Sequence, residues 1–284
     1  MNTIVIQDYS VEEFIKATGD MLYKNEASNS LMLGICDSLL KSNKSNDNFF
    51  LYRVLEDDHI KSAAIHTPPY PLVITYSNEV QLEHLANFIF DKGLDLPGVV
   101  GPSDETINFT KIWSRITSCH SSLGMDQIIY QVSNVVLPQT IGRLKVAVEE
   151  DTVLTAKWLF EFSQESLPVS EKITYEEALK GAKSAIEQKM AYFWTIDEIP
   201  VSVAHWGRPT KNGVSIRAVY TPNELRGHGH GSAVVAHLSQ MLLNSTYKFC
   251  FLYTDAANST SNKIYKDIGY QEVQDSKHFL FTSK

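Results

Sequence analysis

The sequence predicts an α/β (α+β) protein of two similar lobes, each with a mixed, mostly antiparallel β-sheet flanked by helices. Residues 214–220 form an apolar, β-prone run, which is followed by a glycine-rich turn and by a segment with helical periodicity, 232–244. Residues 49–75 and 192–221 share one order of strand, acidic turn, strand, loop and strand. This repetition is the reason for expecting two lobes rather than one.

Helical periodicity defines the remaining elements. Val234, Leu238, Met241 and Leu242 recur at helical spacing and predict one buried helix face. A β-prone segment at 127–136 would close the first lobe, and the turn residues at 138–142 predict a linker, which gives domains 1–137 and 143–284. The predicted helices cover residues 11–24, 30–42, 81–91, 104–118, 151–165, 175–189, 232–244 and 261–268.

Composition restricts the functional classes. The formal net charge of the 284 residues is −8 and no basic cluster occurs, so we expect no nucleic-acid partner. No apolar run approaches the roughly 20 residues of a membrane helix, and the first eight residues lack an export signal. We therefore expect a cytoplasmic monomer or homodimer without membrane attachment. Three scattered cysteines predict neither a disulfide framework nor a zinc site.

The turn at 221–232 predicts a phosphate-binding site. Glycines let backbone N–H groups approach a phosphate closely, and the start of the following helix adds unpaired N–H groups and a partial positive charge. Arg226 adds a cation suited to phosphate. The nucleoside-triphosphate loop is excluded because no Lys-Ser/Thr pair follows the glycines, and the dinucleotide pattern fails because Ser232 stands where its third glycine is needed.

The pattern that fits is Arg-x-x-Gly-x-Gly, formed by Arg226, Gly229 and Gly231. It resembles the pyrophosphate loop of the GNAT N-acetyltransferases. A second similar signature follows the β-prone run 248–254: Asn258, a short helix that carries Tyr265, and then Gly269-Tyr270. Ser259, Thr260 and Ser261 are suitable N-caps for that helix, and Gly269 suits its end. The resemblance covers roughly residues 144–281.

The resemblance implies an acetyl-CoA-dependent N-acetyltransferase without a metal. It implies that the strand before the loop splays from its neighbour, that its backbone pairs with the pantetheine arm, and that Val219 N–H faces the thioester oxygen. Tyr265 matches the family's general acid, and Asn258 matches the asparagine that contacts the cofactor arm. The implied cofactor-binding residues are Val219, Tyr220, Thr221, Arg226, Gly227, His228, Gly229, His230, Gly231, Ser232 and Asn258.

The general base and the acceptor are less closely specified. Glu165, in the helix predicted to line the acceptor groove, is the leading base, acting directly or through a water; a solvated surface carboxylate is the alternative. His205 could also face the groove. His228 and His230 have the spacing of a metal pair, but the family needs no metal. The expected acceptor is a small-molecule or peptide amine, held by the variable loops 167–174 and 208–212.

The first lobe is predicted to be a degenerate copy. Its loop between strand and helix has neither glycine nor arginine, and Glu79 would repel a diphosphate. Trp113 occupies the position of Tyr265, and an indole cannot protonate a thiolate. The main alternative function is a non-catalytic acyl-CoA-binding or sensing protein, although binding alone does not require Tyr265. A scaffold role for the first lobe and aminoacyl transfer are further alternatives.

Overall fold

The computed structural model describes residues 2–41, 48–168 and 171–282. These residues form two compact units. Unit 1 contains the described residues up to 129 together with 273–282, and unit 2 contains 130–272. Residue 42, the end of one predicted helix, lies outside the described residues, as do 169 and 170 of the predicted acceptor loop.

Unit 1 is a mixed sheet with four helices. Its sheet order is β1-β2-β3-β4-β5-β12-β6, in which β12 is the C-terminal strand Gln271–Thr282. Among the described registers of this unit, only β4 and β5 form a parallel pair. The elements are β1 (Thr3–Asp8), α1 (Val11–Lys24), α2 (Ser30–Lys41), β2 (Phe50–Glu56), β3 (His59–His66), β4 (Leu72–Ile74), α3 (Glu79–Asp91), β5 (Gly98–Pro102), α4 (Ser103–Thr117) and β6 (His120–Val132).

Unit 2 repeats this arrangement. Its sheet has the order β11-β10-β9-β8-β7, and β10 and β11 form its parallel pair. The elements are β7 (Arg143–Val146), α5 (Thr152–Ser166), α6 (Tyr175–Glu187), β8 (Ala191–Ile196), β9 (Ile199–Gly207), β10 (Gly213–Tyr220), α7 (His230–Leu243), β11 (Phe249–Asp255) and α8 (Ser259–Asp267). Strand β12 follows α8 along the chain and belongs to unit 1 from residue 273 onward.

The element order confirms the predicted fold class. Both series, β1 to β6 and β7 to β12, run strand, two helices, three strands, helix, strand, helix and strand. In both, the third of the consecutive strands pairs in parallel with the strand after the helix, as Leu72↔Val99 and Gly213↔Phe249 show. The chain is therefore a mixed α/β protein with mostly antiparallel sheets flanked by helices.

The compact units do not follow a linear division of the chain. Residues 130–142 belong to unit 2, and the C-terminal strand β12 belongs to unit 1 from residue 273 onward. The domain division into 1–137 and 143–284 stays a prediction.

The eight predicted helices are all present, and their described ends differ from the prediction by at most two residues. Helices α3, α7 and α8 each begin two residues earlier than predicted, and α6 ends two residues earlier. For α8 the cap is Asn258, whose Oδ1 accepts from Ser261 N at 3.0 Å, and not one of the three hydroxyl residues that follow it. No described helix combines the length and the hydropathy needed to cross a bilayer.

The core of unit 2 fixes the elements around the glycine turn. Trp158 of α5 packs edge-on against Phe193 of β8, with ring centroids 5.5 Å apart. Val203 and Tyr220, which are opposite each other on β9 and β10, complete this buried cluster. Helix α5 therefore lies across the end of β10, and this places Glu165 near the glycine turn.

Candidate active site

Strand β10 contains a β-bulge just before the glycine turn. Between the antiparallel pairs Arg217↔His205 and Tyr220↔Val203, β10 has two residues, Ala218 and Val219, where β9 has one. Ala218 adopts φ 47°, a left-handed conformation that is unfavourable for a residue with a Cβ. Bulges bend a strand and often occur next to active sites.

The neighbouring strands β10 and β11 diverge beside this bulge. Their parallel register runs from Gly213↔Phe249 to Ser215↔Phe251. Beyond that register, β10 continues to Tyr220 and β11 continues to Asp255. The backbone at 216–220 thus lies beyond the described register with β11, which is the kind of splayed strand end that the sequence resemblance implies.

The glycine turn leads directly into helix α7. Gly227 and Gly229 adopt φ 83° and 79°, so both occupy the left-handed region for which glycine is favoured. Gly229 is the N-cap of α7, and the first helical bond runs from Ala233 N to Gly229 O at 3.0 Å. The N–H groups of His230, Gly231 and Ser232 precede this first helical donor, so they have no acceptor within the helix.

No described side chain caps α7. Uncapped amides and the positive end of a helix dipole favour the binding of an anion. Gly231 has an ordinary φ, but a Cβ there would lie 3.4 Å from Thr221 Oγ1. Thr221 Oγ1 in turn lies 2.8 Å from Ser202 Oγ, and Ser202 Oγ donates to Tyr220 O at 3.0 Å. Ser202 was not identified from the sequence, because a serine inside a strand carries no distinctive pattern.

Arg226 is held against the end of β10. Its Nε donates to Thr221 O at 2.8 Å, and its guanidinium lies 5.6 Å from the centre of the Tyr220 ring. Its Nη2 donates to Glu165 Oε2 at 2.6 Å. The cation predicted for the diphosphate and the carboxylate predicted as base are therefore paired with each other.

Glu165 has a second partner in the same cluster. Tyr220 OH donates to Glu165 Oε1 at 3.1 Å. Burial and the Glu165 carboxylate both raise the pKa of Tyr220, so this phenol stays protonated as a donor. The structure thus brings together Glu165, Tyr220, Thr221 and Arg226, which the sequence places up to 61 residues apart.

Tyr265 lies on α8 with a 9% exposed surface. Its ring packs near those of Tyr130 and Tyr270, at 6.1 and 6.0 Å between centroids. Burial raises the pKa of Tyr265 to about 12. The hydroxyl is therefore fully protonated at neutral pH, the state that a proton donor needs.

Asn258 is the N-cap of helix α8. Its Oδ1 is used to cap α8 through Ser261 N. The Nδ2 amide group is the part of this side chain that could donate to a cofactor carbonyl. Its assignment as a cofactor contact stays a prediction.

The two histidines of the glycine turn stack on each other. The rings of His228 and His230 are 5.7 Å apart and inclined by 29°. His230 is buried, and its Nδ1 has no hydrogen-bond partner within the described part of the chain. Burial and, to a smaller extent, the charge of His228 lower the pKa of His230. Across residues 2–41, 48–168 and 171–282, no group of three His, Cys, Asp or Glu side chains forms a metal site.

His205 does not reach an open groove. It is only 5% exposed, and its Nδ1 lies 3.3 Å from Ala218 O. Arg217 carries no distinctive sequence pattern, but it faces the same side of the sheet as His205 because the two are registered partners. Arg217 retains exposed surface, but burial of its guanidinium and the charge of Arg208 lower its pKa.

In unit 1 the N-terminus of α3 differs from that of α7. Asn78 caps α3, with Gln81 N donating to Asn78 Oδ1 at 2.9 Å and Asn78 N donating to Gln81 Oε1 at 3.0 Å. The side chains of α3 thus satisfy amides at its own N-terminus, whereas no described side chain does so in α7. Trp113, in the position of Tyr265, is buried in the core against Phe109.

Comparisons with known proteins agree with this architecture. Residues 199–279, which run from β9 into β12, match the model of the FR47-like protein family. A search of curated protein sequences found no significant match.

Solved structures match over almost the whole chain. A GNAT-family acetyltransferase from Colwellia psychrerythraea is 12% identical, with 99% of both chains covered and a TM-score of 0.58. A Drosophila protein is 11% identical, with 99% of both chains covered and a TM-score of 0.67. A tandem GNAT protein of the clavulanic acid biosynthesis pathway is 9% identical, covers 99% of this chain and 98% of its own, and has a TM-score of 0.50.

At these identities the likeness establishes the fold alone. Together with the family match over 199–279, it confirms the resemblance predicted from the sequence: the chain has the fold of the GNAT superfamily, present in two lobes.

Proposed function

We propose that this protein is an acetyl-CoA-dependent N-acetyltransferase whose active site lies in unit 2. One observation carries the proposal. The bulged end of β10 diverges from β11 and leads, through a turn with two left-handed glycines, to the uncapped N-terminus of α7. An extended strand edge followed by a helix N-terminus matches a ligand made of an amide-rich arm and a diphosphate.

Each part of the cofactor has a proposed binding group. The diphosphate would accept from the amides of 227–232, with Arg226 nearby as a cation. The pantetheine arm would pair with the backbone of 219–221, and Val219 N–H would face the thioester oxygen. Asn258 would donate to the arm. No metal takes part.

The reaction would be a direct transfer. The acceptor nitrogen attacks the thioester carbon, a C–N bond forms, and the C–S bond breaks as the tetrahedral oxyanion collapses. The amine proton passes to Glu165 or to a water that Glu165 orients. The departing thiolate takes a proton from Tyr265, which burial keeps protonated. To accept this proton, Glu165 must weaken or break its ion pair with Arg226.

The acceptor is proposed to be a small-molecule or peptide amine. The loops 208–212 and the described part of 167–174 would form its site. Arg217 and Arg208 add positive charge on that side of β9 and β10, while burial raises the pKa of Glu171 despite the nearby Arg208. A cytoplasmic monomer or homodimer without a nucleic-acid partner remains our expectation.

One observation favours a second candidate, a non-catalytic acyl-CoA-binding or sensing protein. The Glu165 carboxylate is occupied by Arg226 and Tyr220, and this arrangement would suit binding without proton transfer. A protein of this kind would retain affinity for CoA but would not consume acetyl-CoA.

A paired assay separates the two candidates. Calorimetry with CoA measures binding, and release of free thiol from acetyl-CoA in the presence of a panel of amines measures transfer. Binding with thiol release that depends on an amine supports the enzyme. Binding without release by any amine supports the sensing protein, and no binding contradicts both.

A further inference from the structure

The left-handed backbone conformation in the β-bulge of β10 costs free energy, which contacts of the surrounding residues must offset. Ala218 holds φ 47°, whereas bulges that need a left-handed residue usually place glycine there. The Cβ of alanine makes this conformation unfavourable. Such strained positions persist only where neighbouring groups determine the backbone, and they cluster at functional sites.

The group that meets the strained residue is His205. Its Nδ1 lies 3.3 Å from Ala218 O. A carbonyl oxygen can only accept, so this contact requires a proton on Nδ1. Ala218 lies in the bulge, outside the register of β10 with β9, and the imidazole supplies a donor to its carbonyl.

The surroundings of the other ring nitrogen favour the same tautomer. His205 Nε2 is buried and has no hydrogen-bond partner among the described residues. A proton there would leave a buried N–H unsatisfied, so the Nδ1–H form is favoured. Burial, followed by the charge of Arg217, lowers the pKa of His205 to about 4, although the contact with Ala218 O acts in the opposite direction. The ring is therefore neutral and carries one proton.

Burial also excludes the direct chemical role considered from the sequence. With Nε2 enclosed and the ring 5% exposed, His205 cannot receive a proton from an acceptor amine. A second β9 side chain acts similarly on the other side of the bulge, where Ser202 Oγ donates to Tyr220 O at 3.0 Å. Side chains of β9 thus satisfy the β10 carbonyls of Ala218 and Tyr220, which flank Val219.

We propose that His205 is a positioning residue: its Nδ1–H holds Ala218 in the bulged conformation that separates β10 from β11 and leaves Val219 N–H available to the cofactor. This role rests on the proposed function, since the cofactor is what would use the bulge. His205 itself would touch neither the cofactor nor the acceptor.

Three substitutions of His205 separate this role from simple packing. His205→Asn retains a donor on the atom that corresponds to Nδ1. His205→Gln moves its amide to the position of Nε2, and His205→Leu has a similar volume without a donor. We expect His205→Asn to keep kcat/KM for acetyl-CoA within about threefold of wild type, and His205→Gln and His205→Leu to lose at least about tenfold, a difference readily measured.

Equal effects in all three variants, whether all active or all impaired, would overturn the proposal, because only the Nδ1 donor distinguishes them. Thermal melting of each variant shows whether a loss of activity reflects unfolding. Nitrogen NMR of the wild-type ring provides a separate readout, and a protonated Nε2 with a bare Nδ1 would also overturn the proposal.

The test remains decisive if the wild-type protein proves to have no acetyl-CoA-dependent activity. In that case the proposed function fails, and amide hydrogen exchange at 218–220 measures the bulge directly. Faster exchange in His205→Gln and His205→Leu than in His205→Asn supports the positioning role. Equal exchange rates contradict it.

Discussion

Glu165 on α5 and Arg226 in the glycine turn form an ion pair, with Arg226 Nη2 2.6 Å from Glu165 Oε2. Both side chains are partly exposed, at 38% and 44% of their surface. One partner is the proposed base and the other is the proposed cation for the diphosphate. The guanidinium that donates to the Glu165 carboxylate is also the proposed donor to the diphosphate. The carboxylate and the diphosphate should therefore compete for Arg226 until cofactor binding redistributes its hydrogen bonds.

Replacing Glu165 by glutamine tests this competition. Glu165→Gln removes the competing charge, so affinity for CoA should rise, by up to about fivefold, since exposed ion pairs contribute only about 0.2–1 kcal/mol. Turnover should fall by about 10²-fold or more if Glu165 is the base. Calorimetry and thiol-release kinetics measure the two effects. The control is Glu176→Gln, which disrupts an exposed ion pair with Lys180 on α6. Unchanged affinity and turnover in Glu165→Gln would show that Glu165 is a solvated surface carboxylate and not the base.

Removal of Arg226 should have the opposite effect on binding. Arg226→Ala should weaken CoA affinity roughly ten- to hundredfold, because hydrogen bonds to charged groups contribute about 1.5–3 kcal/mol. Arg115→Ala, which breaks an exposed pair with Glu83 in unit 1, is the control. The double variant with Glu165→Gln should show a non-additive effect, as expected for directly contacting residues. Calorimetry that finds wild-type affinity in Arg226→Ala would refute its part in the loop.

Tyr265→Phe should separate chemistry from binding. Turnover should fall by about 10²-fold or more while CoA affinity changes little, because the phenol acts on the departing sulfur. Tyr247→Phe, near Trp206 in unit 2, is the control. Wild-type turnover in Tyr265→Phe would remove its assignment as the acid.

The pH profile provides a second check on Tyr265. Its pKa is raised to about 12, so the proton-donating form persists up to that pH and is lost only above it. An alkaline decline in kcat that begins near neutral pH must therefore come from another group. If such a decline disappears in Tyr265→Phe, the buried phenol is not the protonated species described above.

The glycines should differ in what their substitution costs. Gly229→Ala forces a Cβ into φ 79° and should lower stability by about 1 kcal/mol. Gly231→Ala has an ordinary φ and a nearest contact of 3.4 Å, so it should melt near the wild-type temperature. The added methyl group would nevertheless lie beside the uncapped amides of 230–232 and should weaken CoA binding. Full affinity in Gly231→Ala would show that the diphosphate does not approach this turn.

Binding of CoA should strengthen as the pH falls through the range of histidine. In the free protein, burial and His228 lower the pKa of His230, so its neutral form predominates at pH 7. A diphosphate at 227–232 would raise that pKa, and the complex would then hold more protons than the free protein between the two values. Calorimetry from about pH 8 to about pH 5.5 should therefore show rising affinity and proton uptake. A flat profile would place the anion away from His230.

The parts of the site that depend on local chemistry were predictable. The glycines at 227 and 229 signal left-handed backbone, and the position of the helix after them follows from its periodicity. The bulge at Ala218 was not predictable, because no residue between Arg217 and Tyr220 marks it and its stabilising donor is His205, 13 positions earlier. The pairing of Glu165 with Arg226 likewise arises from packing of α5 across β10 and not from any local pattern.

A crystal structure of the protein with acetyl-CoA tests the central claim most directly. We predict a diphosphate on the amides of 227–232 at the N-terminus of α7 and a pantetheine arm in the opening between β10 and β11. A cofactor bound at another place, or a turn that remains empty at saturating acetyl-CoA, would contradict the proposed function.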